Sequence, residues 1–221
     1  MKANRRVGIF GGTFDPIHVG HLRAAEEVRE RLRLRNVIFV PNRVPPHKPG
    51  RRPAAADARL AMARLAVRGD RGFAVSDVEV ARAGPSYTVA TLDYFRALRG
   101  REAELFFILG ADAFAEVATW RRAADLFAKA HFVVMTRPGA RLPGLRAVLP
   151  PEVAARFRRS KGAGGEDAWT HETGHVVRSA SVTPLDISSS DIRARVARGE
   201  SIRYLTPVAV ARYIARHGLY R

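Results

Sequence analysis

The sequence predicts an α/β protein in which a parallel sheet is flanked by helices. Short runs rich in Val, Ile and Phe alternate with longer segments whose apolar residues recur at helical spacing, which is the pattern of βαβ units. The run at 104–109 is nearly continuous in apolar residues, as in strands buried on both faces. A chain of 221 residues with 47% hydrophobic residues supplies a sizeable core and suits one domain with a small C-terminal helical part.

The periodicity of the apolar residues gives the expected order of elements. Strands are predicted at 7–10, 37–40, 73–78, 104–109, 131–136 and 176–179, the last of which closes the sheet. Helices are predicted at 19–33, 55–67, 88–98 and 151–158, with a further helical stretch around Trp120. Prolines within 41–53 exclude regular structure there, and the glycine-rich segment 160–174 is predicted to be a mobile loop.

Two more helices are predicted at the end of the chain from their capping residues. The first begins at the serines of 188–190 and runs to Arg198. The second begins with Thr206 as its N-cap and Pro207 as its first helical residue, and it ends near Gly218, which is typical of a helix C-terminus.

Composition excludes several kinds of site and location. The chain has no cysteine, so disulfides, thiolate zinc sites and a cysteine nucleophile are ruled out. The N-terminus lacks the features of a signal peptide, and no apolar run approaches the roughly 18 residues that a membrane span needs. We therefore expect a soluble, cytoplasmic protein without a membrane partner.

The net charge of +17 makes a nucleic-acid-binding protein one alternative. Lysine occurs only at positions 2, 48, 129 and 161, so 34 of the 38 basic residues are arginine, and they are scattered along the chain. This distribution fits an Arg/Ala bias in codon usage equally well, and a basic surface also attracts small anionic substrates such as nucleotides. We expect such substrates and no nucleic acid, and the sequence leaves oligomer formation open.

The most informative stretch is GIFGGTFDPIHVGHL at 8–22. A strand enters the double glycine Gly11-Gly12, and the start of the next helix carries His18 and His21. Backbone N–H groups at such a turn and at a helix N-terminus face anions, and the (i, i+3) spacing puts both imidazoles on one face. The stretch lacks both the P-loop pattern and GxGxxG, so it predicts a polyphosphate site of another kind.

A second candidate phosphate motif, ISSSDIR, occupies residues 187–193. Three serine hydroxyls crowd a helix N-terminus, and Arg193 follows one turn later. Hydroxyls, freed N–H groups and a guanidinium fork together suit phosphate oxygens, although an N-cap beside a surface arginine gives the same pattern. Its pairing with the histidine motif favours a phosphate site.

Four further motifs follow in order: 45–48 (PPHK), 86–88 (SYT), 110–112 (GAD) with Trp120 after it, and 204–220 (YLTPVAVARYIARHGLY). With the two phosphate motifs they resemble the bacterial nicotinate-nucleotide adenylyltransferases of the nucleotidylyltransferase superfamily. The resemblance covers the chain except about 139–175, and Ser190 stands where threonine is usual. It implies a Rossmann-like nucleotidylyltransferase core over 1–184 and C-terminal helices over 185–221 that carry ISSSDIR.

The resemblance implies transfer of AMP from ATP to nicotinate mononucleotide, giving nicotinate adenine dinucleotide and pyrophosphate. The phosphate of the mononucleotide is already an anion near neutral pH and attacks the α-phosphorus in line, so the protein has to position groups and stabilise charge. Mg²⁺ is expected on the triphosphate, held by phosphate oxygens and water, with no protein metal site. The alternatives are a related adenylyltransferase that uses nicotinamide mononucleotide or phosphopantetheine, and the basic nucleic-acid-binding protein.

The resemblance also assigns residues to each part of the reaction. Catalysis is assigned to His18, His21, Lys48 and Arg193. ATP binding is assigned to Gly11, Gly12, Thr13, His18, His21, Gly110, Asp112, Ser189, Ser190 and Arg193, with Asp112 at the ribose. Binding of nicotinate mononucleotide is assigned to Phe14, Lys48, Thr88, Trp120 and Arg137. Trp120 is expected to stack on the ring, main-chain N–H groups to take its carboxylate, and Arg137 to reach adenine or a phosphate.

Overall fold

The computed structural model describes residues 5–44, 53–140, 142–162 and 165–221. These residues form an eight-stranded sheet in the order β3-β2-β1-β4-β5-β8-β7-β6. The strands are β1 (Arg6–Gly12), β2 (Asn36–Pro41), β3 (Phe73–Val75), β4 (Glu104–Gly110), β5 (His131–Thr136), β6 (Phe157–Lys161), β7 (Asp167–His171) and β8 (Val176–Ser181). The six strands from β3 to β8 in that order pair in parallel, which confirms the predicted fold class.

Helices cover both faces of this sheet. They are α1 (Val19–Arg31), α2 (Ala56–Ala66), α3 (Val78–Ala81), α4 (Thr88–Arg99), α5 (Ala111–Ala115), α6 (Ala123–Leu126), α7 (Pro151–Ala154), α8 (Ser189–Ala197) and α9 (Val208–Arg216). Short 3-10 turns occupy Val117–Thr119 and Leu145–Ala147. None of the helices in the described ranges is long and apolar enough to cross a membrane.

The side chains of the central strands alternate between two apolar cores. Ile9 and Phe107 face a core shared with α4 to α7, while Phe10 and Phe106 face a core shared with α1, α2 and α9. Val210 and Ile214 of α9 are buried in the second core. The C-terminal helix is therefore packed against the same sheet face as α1, which brings the end of the chain close to the turn after β1.

The segment predicted to be a mobile loop at 160–174 is instead part of a β-hairpin. β6 pairs antiparallel with β7, and β7 pairs antiparallel with β8, so β8 does not close the sheet as predicted. The glycines Gly162 and Gly165 lie at the turn between the two strands. Arg159 and Lys161 of β6 form ion pairs with Asp167 at 3.2 and 3.0 Å, and these charged side chains conceal the strand pattern in the sequence.

Other predicted boundaries also need correction. The strand predicted at 73–78 ends at Val75, because α3 follows it, and the helix predicted at 151–158 ends at Ala154, because β6 starts at Phe157. The side chain of Thr206 does not cap α9; its hydroxyl donates to the carbonyl of Ile17 at 2.9 Å. The predicted helix end at Gly218 is confirmed by its φ of +58°.

Candidate functional site

Three neighbouring cavities open at the carboxyl ends of β1 and β4. The histidine cavity is lined by Thr13, Asp15, His18, His21, Ser189 and Arg193, among others. The tryptophan cavity, of about 330 Å³, is lined by Gly12, Thr13, Glu79, Thr88, Asp112 and Trp120, among others. The Arg137 cavity is lined by His18, His21, Gly110, Asp112, Thr136 and Arg137, among others. The shared residues make these cavities one continuous site at the edge where open α/β sheets bind ligands.

The two histidines of the first motif lie face to face at the start of α1. Their ring centroids are 3.7 Å apart, which confirms that they share one face. The backbone N–H of His18 donates to Nδ1 of His21 at 3.2 Å. Because Nδ1 of His21 is an acceptor, the neutral ring carries its proton on Nε2. His21 is therefore a hydrogen-bond donor at a ring atom that its own helix leaves unused.

Burial favours the neutral form of both imidazoles. It lowers the pKa of His18 to about 4. Burial lowers the pKa of His21 well below its ordinary value, and the neighbouring His18 lowers it further. Nδ1 of His18 is buried and has no hydrogen-bond partner among the described residues. Such an atom carries a desolvation penalty, which a polar ligand in this cavity would relieve.

Two glycines of the motif leave space for neighbouring rings, Gly20 for His18 and Gly12 for Phe14. A Cβ at Gly20 would lie 3.1 Å from Nδ1 of His18, and a Cβ at Gly12 would lie 2.8 Å from the ring of Phe14. The close approach of side chain to backbone at both positions explains why the motif carries glycine there.

The C-terminal segment binds the turn between β1 and α1 at three successive carbonyl groups. A guanidinium N–H of Arg193 donates to the carbonyl of Asp15, and the hydroxyl of Ser189 donates to that of Pro16 at 2.9 Å. The Thr206 bond to the carbonyl of Ile17 is the third. ISSSDIR therefore contacts the histidine motif, and the side chains of Ser189 and Arg193 position the turn between β1 and α1.

Arg193 lies in an ion pair at the floor of the histidine cavity. Its Nη1 lies 3.3 Å from Oδ2 of Asp15, and its Nη2 donates to the hydroxyl of Ser190 at 2.8 Å. Ser188 is the N-cap of α8 and accepts from the backbone N–H of Asp191 at 3.0 Å. Hydroxyls, a helix N-terminus and a guanidinium thus meet at one wall, which is the donor set that phosphate oxygens require.

A buried arginine that the motifs do not include fixes the rim of the site. Arg59 is fully buried on α2, and burial lowers its pKa. Its guanidinium donates to the carbonyls of Thr13 at 2.8 Å, Arg43 at 3.1 Å and Ala54, and to the side chain of Asn42. Sequence reasoning missed it, although Arg59, Met62 and Ala63 share the buried face of the predicted helix, where an arginine is unusual.

The tryptophan cavity is bounded by the N-terminus of α4 and by the turn around Trp120. Thr88 is the first residue of α4, so the helix N-terminus faces the cavity. The indole of Trp120 packs edge to face against Phe107, with ring centroids 6.1 Å apart. The backbone N–H of Trp120 donates to the carbonyl of Val117 at 3.1 Å. The prediction that main-chain N–H groups bind the ring carboxylate stays a prediction. The guanidinium of Arg121 stacks on the ring of Tyr87 at 4.8 Å on the same wall.

Glu79 is a second site residue that sequence reasoning missed. It is buried in the wall of the tryptophan cavity, where its carboxylate accepts from the hydroxyl of Thr91 at 2.5 Å. Burial raises its pKa, and hydrogen bonds from Thr91 and Ser86 oppose that rise. The sequence signal for Glu79 is slight, because it is one carboxylate between two valines, directly after the segment predicted as a strand.

Gly110 and Asp112 lie between two of the cavities, as a residue pair at a ribose would. A Cβ at Gly110 would lie 2.5 Å from a carboxylate oxygen of Asp112, so a larger residue there would require the Asp112 side chain to move. Gly11 also lines the tryptophan cavity, and Thr13 joins it to the histidine cavity. The roles predicted for these residues stay predictions.

Three other predicted residues are placed differently from the expectation or lie outside the structure. The ring of Phe14 is buried against Phe10 and Phe39 and is not in the wall of the tryptophan cavity; Phe14 borders the histidine cavity instead. Arg137 lines the cavity named for it and is not among the residues that line the tryptophan cavity, and its predicted role stays a prediction. Lys48, with the rest of 45–48, lies outside the described residues.

The fold and the site together define a nucleotide-binding α/β protein whose histidine pair lies beside a phosphate-type cavity. A model of the cytidylyltransferase-like family matches residues 9–195. The chain belongs to this family, and its curated relatives place it among the nicotinate-nucleotide adenylyltransferases.

Two of those relatives cover almost the whole chain. A protein of Desulfatibacillum aliphaticivorans named "Probable nicotinate-nucleotide adenylyltransferase" is 45% identical, over 97% of this chain and 99% of the relative. A protein of Geobacter sp. (strain M21) with the same name is 44% identical, over 97% and 98%. Plasmodium falciparum nicotinic acid mononucleotide adenylyltransferase complexed with NaAD has the same fold, with a TM-score of 0.69 at 16% identity over 98% of this chain and 97% of that one.

Proposed function

We propose that the protein transfers AMP from ATP to nicotinate mononucleotide, forming nicotinate adenine dinucleotide and pyrophosphate. The observation that carries this proposal is the position of the His18–His21 pair, which lines both the histidine cavity and the Arg137 cavity. The pair thus lies between a cavity with donors for phosphate and a cavity large enough for a nucleoside. The names of relatives more than 40% identical along the whole chain support the same activity.

We assign the two substrates to different parts of the connected cavities. The triphosphate occupies the histidine cavity, the ribose lies at Gly110 and Asp112, and the adenine enters the Arg137 cavity. Nicotinate mononucleotide occupies the tryptophan cavity, with its phosphate towards Thr13, the residue that both cavities share. This arrangement brings the attacking phosphate and the α-phosphorus together beside the glycine turn.

The chemical step is one displacement at phosphorus. An oxygen of the mononucleotide phosphate forms a bond to the α-phosphorus, and the bond from that phosphorus to the oxygen bridging to the β-phosphorus breaks. The electron pair leaves with pyrophosphate, so no acid or base has to be regenerated. The protein contributes position and charge stabilisation.

His18 and His21 supply that stabilisation at the α-phosphate. Burial favours the neutral form of both rings, and Nε2–H of His21 is a donor. The negative charge of ATP favours protonated rings, so binding raises the pKa of each and strengthens the hydrogen bonds to phosphate oxygen. Arg193, Ser190 and Lys48 are assigned to the β- and γ-phosphates, which leave as pyrophosphate.

Mg²⁺ would bind at this site together with the triphosphate. Within the described ranges no three His, Asp or Glu side chains are grouped so that they could hold a metal ion. Asp15, which lines the histidine cavity, already accepts hydrogen bonds on its carboxylate from Arg193, from Tyr220 and from the backbone N–H of Ala54. We therefore assign Mg²⁺ to phosphate oxygens and water, where it neutralises phosphate charge.

The acid group of the acceptor is recognised by donors and positive charge at one end of the tryptophan cavity. The N-terminus of α4 at Thr88 presents free N–H groups, and the guanidinium of Arg121 is held on Tyr87 in the same wall. Both favour a carboxylate over an uncharged amide. The indole of Trp120 supplies a flat surface for the pyridinium ring.

Release of pyrophosphate tests the proposal. Purified protein is incubated with ATP and Mg²⁺, and with nicotinate mononucleotide, nicotinamide mononucleotide or phosphopantetheine in separate reactions. The proposal predicts rapid pyrophosphate release with nicotinate mononucleotide and formation of the dinucleotide. Release with phosphopantetheine alone, or no release together with salt-sensitive binding of DNA or RNA, would contradict it. The substrates are those of the cytoplasm, where we propose that the protein acts.

A further inference from the structure

A tyrosine from the end of the chain is hydrogen-bonded to Asp15, which lines the histidine cavity. The hydroxyl of Tyr220 donates to Oδ1 of Asp15 at 2.7 Å, across 205 residues of sequence. Gly218 has a φ of +58°, and the N–H of Leu219 donates to the carbonyl of Ile214 at 3.1 Å, so the chain reverses direction after α9. This reversal turns the tyrosine back towards the turn after β1.

The carboxylate that Tyr220 contacts is the one that holds Arg193. Oδ1 of Asp15 accepts from Tyr220 and from the backbone N–H of Ala54 at 3.1 Å, and Oδ2 faces Nη1 of Arg193 at 3.3 Å. Burial, together with the hydrogen bond to Asp15, raises the pKa of Tyr220, so its hydroxyl remains a donor at any physiological pH. Arg193 thus contacts the carboxylate of Asp15 and also lines the histidine cavity.

We propose that Tyr220 is a positioning residue for the triphosphate of ATP, acting through Asp15 on Arg193. A buried carboxylate oxygen needs donors, and the tyrosine hydroxyl supplies one that does not come from Arg193. Without it, Asp15 draws the guanidinium away from the cavity, and phosphate contacts weaken. The inference rests on the proposed function only in that the histidine cavity is taken as the triphosphate site.

Tyr220→Phe tests this inference, because it removes the hydroxyl and keeps the ring. Titration calorimetry with ATP and Mg²⁺, without acceptor, should show a Kd about three- to tenfold higher than in the unsubstituted protein. In turnover assays the KM for ATP should rise by the same factor, while kcat and the KM for nicotinate mononucleotide stay unchanged. Tyr213→Phe is the matched control, since Tyr213 lies on α9 and stacks on His217 at 4.0 Å; it should leave the ATP Kd unchanged.

Asp15→Asn separates a positioning role from a structural one. In the Asp15→Asn background, Tyr220→Phe should change the ATP Kd by less than about twofold, because the charge through which the hydroxyl acts is gone. An ATP Kd that Tyr220→Phe does not change, or an equal loss of affinity for both substrates with a lower melting temperature, would overturn the inference. Since ATP binding is measured without an acceptor, protein that binds ATP but does not release pyrophosphate contradicts the proposed function and still tests Tyr220.

Discussion

The histidine cavity and the tryptophan cavity meet at Thr13 but are held together in different ways. The histidine cavity depends on contacts between distant parts of the chain, with Ser189, Arg193 and Tyr220 bonded to residues 173 to 205 positions earlier. The tryptophan cavity is also lined by several segments of the chain, between Gly11 and Arg121. Its side-chain hydrogen bonds span shorter separations, such as Arg43 with Ser86, 43 positions apart, and Glu79 with Thr91, 12 positions apart. The first cavity carries the ion pair of Arg193 with Asp15, two imidazoles and hydroxyls, and the second carries aromatic rings and the buried carboxylate of Glu79.

This difference assigns the two cavities separate tasks. The charged cavity suits the developing and departing phosphate charge, so changes there should lower kcat or weaken ATP binding. The aromatic cavity suits the acceptor ring, so changes there should weaken acceptor binding and leave ATP binding alone. Substitutions that act on one substrate only would support separate tasks for the two cavities, and substitutions that act on both substrates equally would contradict them.

His21→Ala should have the largest effect. Removing one donor at the phosphorus where charge develops typically lowers the rate about 10²- to 10³-fold, and the KM for nicotinate mononucleotide should hardly change. Steady-state kinetics with a circular dichroism check of folding measures this, and His217→Ala on the exposed end of α9 is the control. Normal turnover in folded His21→Ala protein would remove His21 from the mechanism.

Arg193→Ala should come next and should act on ATP. Loss of a charge-assisted hydrogen bond to phosphate corresponds to about a 10- to 100-fold rise in the KM for ATP, with a smaller effect on the acceptor. Arg195→Ala is the matched control, because Arg195 is on the same helix and pairs with Asp191 at 2.9 Å. If both variants keep the unsubstituted KM for ATP, ISSSDIR only positions the turn.

Trp120→Ala should raise the KM for nicotinate mononucleotide about tenfold, because the aromatic surface for the ring is lost. Trp120→Phe should recover most of that loss, and neither variant should change the ATP Kd. Initial rates over a matrix of both substrate concentrations separate the two effects. An equal rise in both KM values would show that Trp120 supports the fold rather than the acceptor.

Glu79→Gln should have the smallest effect on turnover. It should weaken acceptor binding slightly but stabilise the folded protein near neutral pH. The KM for the acceptor should rise about threefold, since the neutral amide holds Ser86 and Thr91 less well. Burial raises the pKa of Glu79, so its ionised form destabilises the folded state, and that cost appears as the pH rises above the ordinary carboxyl range. Urea unfolding should therefore show Glu79→Gln gaining stability over the unsubstituted protein at pH about 7 relative to pH about 4. A gain that is the same at both pH values would contradict the burial account.

The sequence predicted the parts of the molecule whose signals are local. The run that enters Gly11-Gly12 and the apolar strand at 104–109 gave the parallel sheet, and the spacing of His18 and His21 gave their shared face. The hairpin of β6 and β7 was missed because charged residues such as Arg159 and Lys161 occupy alternate positions, and ion pairs rather than apolar side chains cover that face. The glycines Gly162 and Gly165 occupy only the turn between the two strands, but they led to the prediction of a loop over the whole segment 160–174.

The candidate site was predictable where a motif carries the side chains and unpredictable where the fold brings them together. Arg59 and Glu79 belong to no motif, and Tyr220 ends the motif at 204–220 without a predicted role. Each contributes through partners that the folded chain supplies. Phe14 illustrates the converse, since it lies within the motif but its ring turns into the core. A motif identifies residues near a site without showing which way each side chain points.

The preference for acid over amide acceptors tests whether the tryptophan cavity binds a nicotinate carboxylate. The measurement is kcat/KM for nicotinate mononucleotide against nicotinamide mononucleotide, at the same ATP and Mg²⁺ concentrations. Donors that face the acceptor carboxylate would meet the amide NH₂ group, leaving buried donors unpaired at roughly 1–3 kcal/mol each. With two such donors at the N-terminus of α4 and Arg121, the acid should be preferred by about a hundredfold or more. Equal kcat/KM values for the two mononucleotides would contradict the assignment of the tryptophan cavity to a nicotinate carboxylate.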